Sequence, residues 1–421
     1  MAKGAMNNVT NKTWGLLALI ILFFQSTSYA QDEDLYSFDV DEFTKKTWEW
    51  KGIFSFSATQ KQYNQDSVLY PIKISGNEDN SQETESVLEL ESRWDWEWSR
   101  LFLSGAISGL RSTIPENDKE DSVLREAYWQ LAEWDPHNIE IGKRVLRWGK
   151  GYAFNPVALM ERTKSPEDPE ASREGLWIAQ GIWLPGALPG FDTSSVNLVY
   201  LPIREGVNDD YQSDIDSEAI WGAKLYGLID TTDLGLYAVR WEENKINQWG
   251  VDFASNLSVN FEIHGEYVAT SQKESNTHEV LLGLRYLTDA DVTWIAEAFF
   301  DSDGLTQEES RALFKNIENS TGSERNAYLS QIQQQSTINR HYGYIKVSVK
   351  EPFEWLYFTP SVAWLGNMDD QSSNITTQLS YTPSDNWTLL FSWQHLIGGR
   401  YSQYGENVVG DKAEISTAYN F

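Results

Sequence analysis

Ala413-Glu414-Ile415-Ser416-Thr417-Ala418-Tyr419-Asn420-Phe421 is the stretch from which the fold is read. A β-strand sends successive side chains to opposite faces, so Ala413, Ile415, Thr417, Tyr419 and Phe421 share one face and Glu414, Ser416, Ala418 and Asn420 the other. One face suits lipid and the other suits water. The segment therefore reads as the last strand of an all-β, transmembrane antiparallel β-barrel. In that fold only alternate residues need be apolar, because every backbone group pairs with a neighbouring strand.

Working back from Phe421, the same alternation recurs. Leu88, Leu90, Trp94, Trp96 and Trp98 fall on one side of a strand and Glu89, Glu91, Arg93, Asp95 and Glu97 on the other, a charged face that no soluble sandwich would bury. Further strands are expected over Trp48–Tyr63, Leu101–Ser112, Ser122–Trp134, Asn138–Trp148, Glu174–Leu184, Thr193–Ile203, Ser217–Ile229 and Asp233–Glu242. The series continues over Lys245–Ala254, Leu257–Ala269, Glu279–Thr288, Val292–Asp301, Tyr342–Lys350, Trp355–Gly366, Ile375–Thr382, Trp387–Ile397 and Gly410–Phe421. Short turns such as Asp135-Pro136-His137, Ser255-Asn256 and Pro383-Ser384-Asp385 alternate with long polar loops. The count is about 18 strands, with 16 as the alternative, and an even number suits a barrel with both termini in the periplasm. Short turns then lie on the periplasmic side and long loops outside.

Composition agrees. The chain holds 19 Trp, 20 Tyr and 18 Phe, material for the aromatic girdles at two membrane interfaces. Residues 1–30 have the form of a cleaved signal peptide: basic Lys3 and Lys12, an apolar run Trp14–Phe24, and Ser28-Tyr29-Ala30 at the cleavage position. That run is about half the roughly 20 residues a spanning helix needs. Residues 31–47 form a periplasmic N-terminal segment and 48–421 the outer-membrane barrel, which places the protein in the cell outer membrane of a Gram-negative organism. With no cysteine there is no lipid attachment site and no disulfide framework. A net charge of −29 argues against nucleic acid as a partner. The partners expected are outer-membrane lipid, lipopolysaccharide bridged by divalent cations, and the barrel-assembly machinery. A homotrimer or an inner-membrane transport partner are the further assemblies open to it.

Gly142-Lys143-Arg144-Val145-Leu146-Arg147-Trp148-Gly149 followed by Asn155-Pro156 resembles the Gly-Arg/Lys-x-x-x-x-Trp-Gly, then Asn-Pro, pattern of DUF1302-like proteobacterial barrels. The resemblance covers about a twentieth of the chain; it implies an outer-membrane barrel and supplies no substrate. The aromatic ending, Tyr419 and Phe421, is similar to the assembly signal of porins. Read physically, Gly149 and Gly151 permit a sharp departure from the wall and Asn155-Pro156 a turn, so 149–173 is expected to fold into the lumen. Arg144, Arg147, Lys150 and Arg162 could then oppose Glu89, Glu91, Glu126 and Glu140 across a constriction. The alternative is that the same arginines form structural pairs holding the loop down.

Residues 302–339 change character. Thr306 with Glu309 has capping-box spacing, and Leu313, Ile317, Tyr328 and Ile332 recur at helical intervals, so a helical extracellular insertion is expected. Catalysis finds no support: Ser392 and His395 point to opposite faces, no serine or aspartate partner is evident for His264 or His395, and no metal-ligand cluster or cofactor motif is present. The function expected is a porin-like channel for passive diffusion of small solutes or ions, mildly cation-preferring because inward acids outnumber inward bases. An export or import barrel for an apolar or polymeric cargo and a surface receptor or adhesion scaffold are the alternatives.

Overall fold

The computed structural model describes residues 47–74, 76, 78–131, 137–169, 171, 173–211, 217–273, 275–333 and 337–421. The expected signal peptide, all but the last residue of the 31–47 segment, and Asp135-Pro136 lie outside them. Eighteen strands form one closed antiparallel sheet. They are β1 Trp48–Tyr63, β2 Asn80–Asp95, β3 Ser99–Ser112, β4 Lys119–Leu131, β5 Asn138–Arg144, β6 Leu176–Trp183, β7 Thr193–Ile203, β8 Glu218–Ile229 and β9 Thr232–Trp241. The second half comprises β10 Asn247–Ser258, β11 Phe261–Ser271, β12 Asn276–Leu287, β13 Val292–Asp301, β14 His341–Val349, β15 Phe358–Asn367, β16 Ser372–Ser384, β17 Trp387–Ile397 and β18 Val409–Asn420.

Each strand pairs with its neighbours in sequence, and β18 returns to β1 with Phe54 opposite Tyr419 and Ala58 opposite Ile415. Backbone bonds between Gly52 and Phe421 finish the seam, and Trp50 meets the Phe421 ring edge-on at 5.9 Å. Closure removes the unpaired strand edges that an open sheet would leave. The outer face exposes Trp50, Phe54, Leu90, Ile107, Leu198, Trp221, Leu282 and Ile415, an apolar belt of the kind lipid covers.

Several strand boundaries differ from expectation; β15 begins at Phe358 rather than Trp355, so that Trp355 to Tyr357 belong to the preceding turn. The β10–β11 turn lies at Val259-Asn260, with Ser258 opposite Phe261. Ser255 and Asn256 stay in the ladder because Ser255 still pairs with Thr232 and Ile263. β2 ends at Asp95, and Trp96 and Trp98 sit in the following turn while remaining exposed. β5 stops at Arg144 because the next amide, Val145 N–H, donates to the Glu126 carboxylate at 3.0 Å. Gly142 prepares that exit: its φ is +138°, and a Cβ there would collide with the Ala127 carbonyl.

Among the described residues three α-helices lie at the long-loop end: α1 (Tyr70–Lys73), α2 (Gln307–Asn319) and α3 (Gly322–Gln333). Thr306 and Glu309 form a reciprocal capping box on α2. Leu313, Phe314 and Ile317 of α2 pack against Val68, Leu69 and Tyr70 of the β1–β2 loop and Val408 of the β17–β18 loop. The connection between β1 and β2 thus carries apolar anchors as well as polar residues. Glu406 is buried among these loops and accepts from Val68 N–H and Tyr401 N–H, each at 2.6 Å. Charge-assisted bonds of this kind order the backbone more firmly than neutral ones, so three outer connections are tied into one cap.

Candidate functional site

The segment after β5 crosses the bore. Gly149, at φ +91°, turns the chain off the wall where any side chain would strike Asn155, whose Nδ2 donates to the Trp148 carbonyl at 2.7 Å. Beyond that turn two wall carboxylates hold the backbone. Glu266 on β11 accepts from the amides of Lys150 (2.5 Å), Gly151 (2.7 Å) and Val157 (3.1 Å). Glu297 on β13 accepts from those of Tyr152 (2.5 Å), Ala153 (2.8 Å) and Phe154 (3.3 Å). Six amides that would otherwise be buried without partners are thereby satisfied by two ionisable side chains.

Apolar contacts complete the docking. Phe154 stacks on Phe299 with centroids 4.7 Å apart and planes 7° from parallel. Trp148, Val157 and Met160 pack onto the inward Ile178, Val199, Leu201, Ile220, Val239 and Val268 of β6 to β11. Farther along, Pro166 to Pro169 face Tyr344, Lys346, Ala363 and Leu365 on β14 and β15, and Glu167 hydrogen-bonds Gln394 on β17. In the circular strand order, β14–β17 lie across the barrel from β5 and β6.

Burial shapes the charges on this segment. The Glu161 carboxyl is pushed up to about 7 by desolvation, although it accepts from Trp148 N–H and pairs with Arg173 at 2.7 Å. Lys164 is pushed down, chiefly by desolvation; its ammonium donates to the carbonyls of Gly151 and Tyr152. A recess of about 440 Å³ remains beside the loop, lined by Lys150, Tyr152, Lys164, Asp233, Glu262, Tyr344 and Lys346.

The eight residues expected at a constriction separate into local groups. Arg144 pairs with Glu126 at 2.8 Å and Glu140 at 3.2 Å on its own patch of wall, with its guanidinium 4.2 Å from the Tyr128 ring centroid. Glu89 is bidentate to Arg125, and Glu91 pairs with Lys51 at 2.7 Å. Lys150 lies 3.8 Å from Asp233, and Arg162 binds Asp210 at 2.8 Å. Arg147 is exposed and forms no ion pair among the described residues. Apart from Arg147 these groups pair with residues close to them, and of the eight only Arg144, Glu126 and Glu140 come together. The period of two puts Glu266 and Glu297 on the inner face of their strands but does not mark them as anchors of the loop.

His264 is buried in the same region, 3.0 Å from Glu297 and 3.6 Å from Glu262, with the Tyr152 ring edge-on at 5.3 Å. His395 has an acidic partner that the sequence did not reveal, Asp411 at 2.7 Å, and it stacks on outward-facing Trp393. Ser392 lies opposite Glu414 on the inner face, so serine and histidine stay on opposite sides of the wall. No group of three or more metal-ligating side chains converges among the described residues.

The architecture is shared with solved β-barrels. The chain is similar to OccK5 (OpdH) of Pseudomonas aeruginosa, with a TM-score of 0.54 and 8% identity over 89% of this chain and 98% of that one. It is similar also to OpdQ of the same organism, at 0.54 and 8% over 90% and 99%. Wzi of Escherichia coli, an outer-membrane protein of group 1 capsule assembly described as a carbohydrate-binding β-barrel, matches at 0.53 and 12% over 88% and 84%. At such identities the likeness is one of fold. No protein-family model matches the chain and no curated protein matches it in sequence, so the likeness to DUF1302-like barrels rests on the Gly142–Pro156 motif alone.

Proposed function

We propose that the protein is an outer-membrane channel for small solutes, narrowed by the segment 149–173. The observation that carries this reading is the pair of wall carboxylates, Glu266 and Glu297, that fasten the segment across the bore. A barrel of 18 strands is wide enough for an aqueous channel unless something occupies it, and here a loop occupies one arc of the lumen. The solute path then runs along the opposite arc, past Lys51, Glu89, Glu91 and Arg125, with the lysine- and tyrosine-lined recess beside it. The apolar belt and the fold shared with Occ and Opd barrels and with Wzi support a bacterial outer membrane as its location.

Acids exceed bases along the inward faces, which favours cations weakly. Planar-bilayer recording of the purified protein in a salt gradient tests both parts. Conductance with a reversal potential on the cation side is expected; silence, or anion selectivity, would defeat the proposal. A second reading, binding of a saccharide within the lumen, is favoured by the tyrosines and paired charges of the recess. Retention of the protein on an oligosaccharide column, lost in Tyr152→Ala, would be its signature.

A further inference from the structure

The short-turn end of the barrel is ringed by exposed aromatic and aliphatic side chains, and one turn stands apart. Between β14 and β15 the chain runs Glu351-Pro352-Phe353-Glu354-Trp355-Leu356-Tyr357. Phe353 is fully exposed, and Leu356 and Tyr357 are 60% and 61% exposed. The turn is not a loose excursion. Glu351 N–H donates to the Phe358 carbonyl at 2.9 Å, and Tyr357 N–H donates to the Glu351 carboxylate at 2.9 Å. Thr382 N–H of β16 reaches the Tyr357 carbonyl at 3.1 Å.

Glu351, Phe353, Glu354 and Tyr357 all have positive φ, from 49° to 62°. Non-glycine residues adopt that region at a cost, and four in one turn fix a backbone that leaves Phe353 away from the wall. An apolar side chain displayed this way in water gains nothing; in a lipid interface it does.

We propose that the β14–β15 turn seats in the headgroup layer of the bilayer, with Phe353 and Leu356 inserted among the lipids. This rests on the reading of the barrel as membrane-spanning. Continuity with the lipid-facing surface identifies the occupant. Trp355 stacks on Phe358 at 4.4 Å and lies 5.6 Å from Tyr381, and Phe358 and Tyr381 are cross-strand partners. Trp387, Tyr419 and Phe421 carry the aromatic girdle around the same end. A protein partner would need a wider platform, since stable interfaces take roughly 20–30 residues a side, whereas interfacial anchoring needs only a few apolar side chains beside an aromatic belt.

The absence of cysteine makes the test direct. A nitroxide is placed at Phe353→Cys, at Asp385→Cys in the polar β16–β17 turn of the same end, and at Leu198→Cys in the outer belt. Each protein is reconstituted in phosphatidylethanolamine–phosphatidylglycerol vesicles after its barrel is checked by migration on cold SDS gels. Collisions with oxygen and with a water-soluble nickel chelate are then compared. The Phe353 label should favour oxygen over nickel several-fold more than the Asp385 label does. Nickel access at Phe353 equal to that at Asp385 would overturn the proposal and leave the turn facing water or a soluble partner. Should the Leu198 label also be freely reached by nickel, the membrane-spanning reading fails with it, so the two failures are told apart.

Discussion

The two arcs of the bore are built on different principles, although the strands that form them follow the same alternation. From β6 to β15 the inward side chains include Ile178, Leu201, Ile220, Val268, Leu281 and Phe299, all buried beneath Trp148, Phe154, Val157 and Met160. From β1 to β4 they form ion pairs such as Lys61–Glu83, Arg93–Asp95 and Arg125–Glu89, most of them partly solvated. The first arc is a packed core and the second a wetted wall. An inward face is therefore not polar by rule: it is polar where water reaches it and apolar where the chain folds back over it.

The sharpest way to break this contrast is to release the loop. Glu266→Ala with Glu297→Ala leaves six amides without acceptors, at about 1.5–3 kcal/mol for each charge-assisted bond. Single-channel conductance should rise and trypsin should cut near Lys164 and Arg173; a variant with wild-type conductance and protease resistance would show that other contacts hold the segment. Phe154→Ala should come next. Removing the ring stacked on Phe299 costs on the order of 3–5 kcal/mol where the site cannot collapse, read as faster hydrogen exchange of the 149–157 amides in a barrel whose strands stay protected.

Glu161 offers a smaller, pH-dependent effect. Its folded-state affinity for a proton is raised, to about 7 against a usual 4.5, so the docked loop binds more protons than the released one between those values. Docking is accordingly strongest below about pH 4.5, weakens as pH rises to about 7, and then levels off. Glu161→Gln should flatten its part of that slope in a pH series of loop proteolysis; an unchanged slope would place the dependence elsewhere. The smallest effect is expected on the wetted arc. The Lys51–Glu91 pair is substantially exposed, so Glu91→Gln should alter stability by no more than about 1 kcal/mol while moving the reversal potential toward anions. A stability loss as large as that of Phe154→Ala would contradict the distinction between the arcs.

Much of the wall was legible in the sequence because its information is local. Parity along each strand places Leu90 outward and Glu89 inward without reference to any other strand, and an even count with short turns follows from repetition. The turn at Gly149 was legible for the same reason: a positive-φ glycine and an Asn-Pro turn are short-range features. The ends of β5 and β10 were less so. A carboxylate on the neighbouring strand, Glu126, ends β5, and cross-strand pairing of Ser255 prolongs β10. The constriction residues show the same limit. Their charges were readable, but whether Arg144 faces across the bore or binds the adjacent Glu126 and Glu140 depends on register between strands.

What the sequence determined by itself is the alternation and the approximate strand number, since a period of two needs only near neighbours. What only the tertiary structure decided is the content of the lumen. Glu266 stands 116 residues from Lys150 and Glu297 145 residues from Tyr152. Closing the sheet brings those carboxylates to the loop, and no local pattern records how a barrel will meet itself.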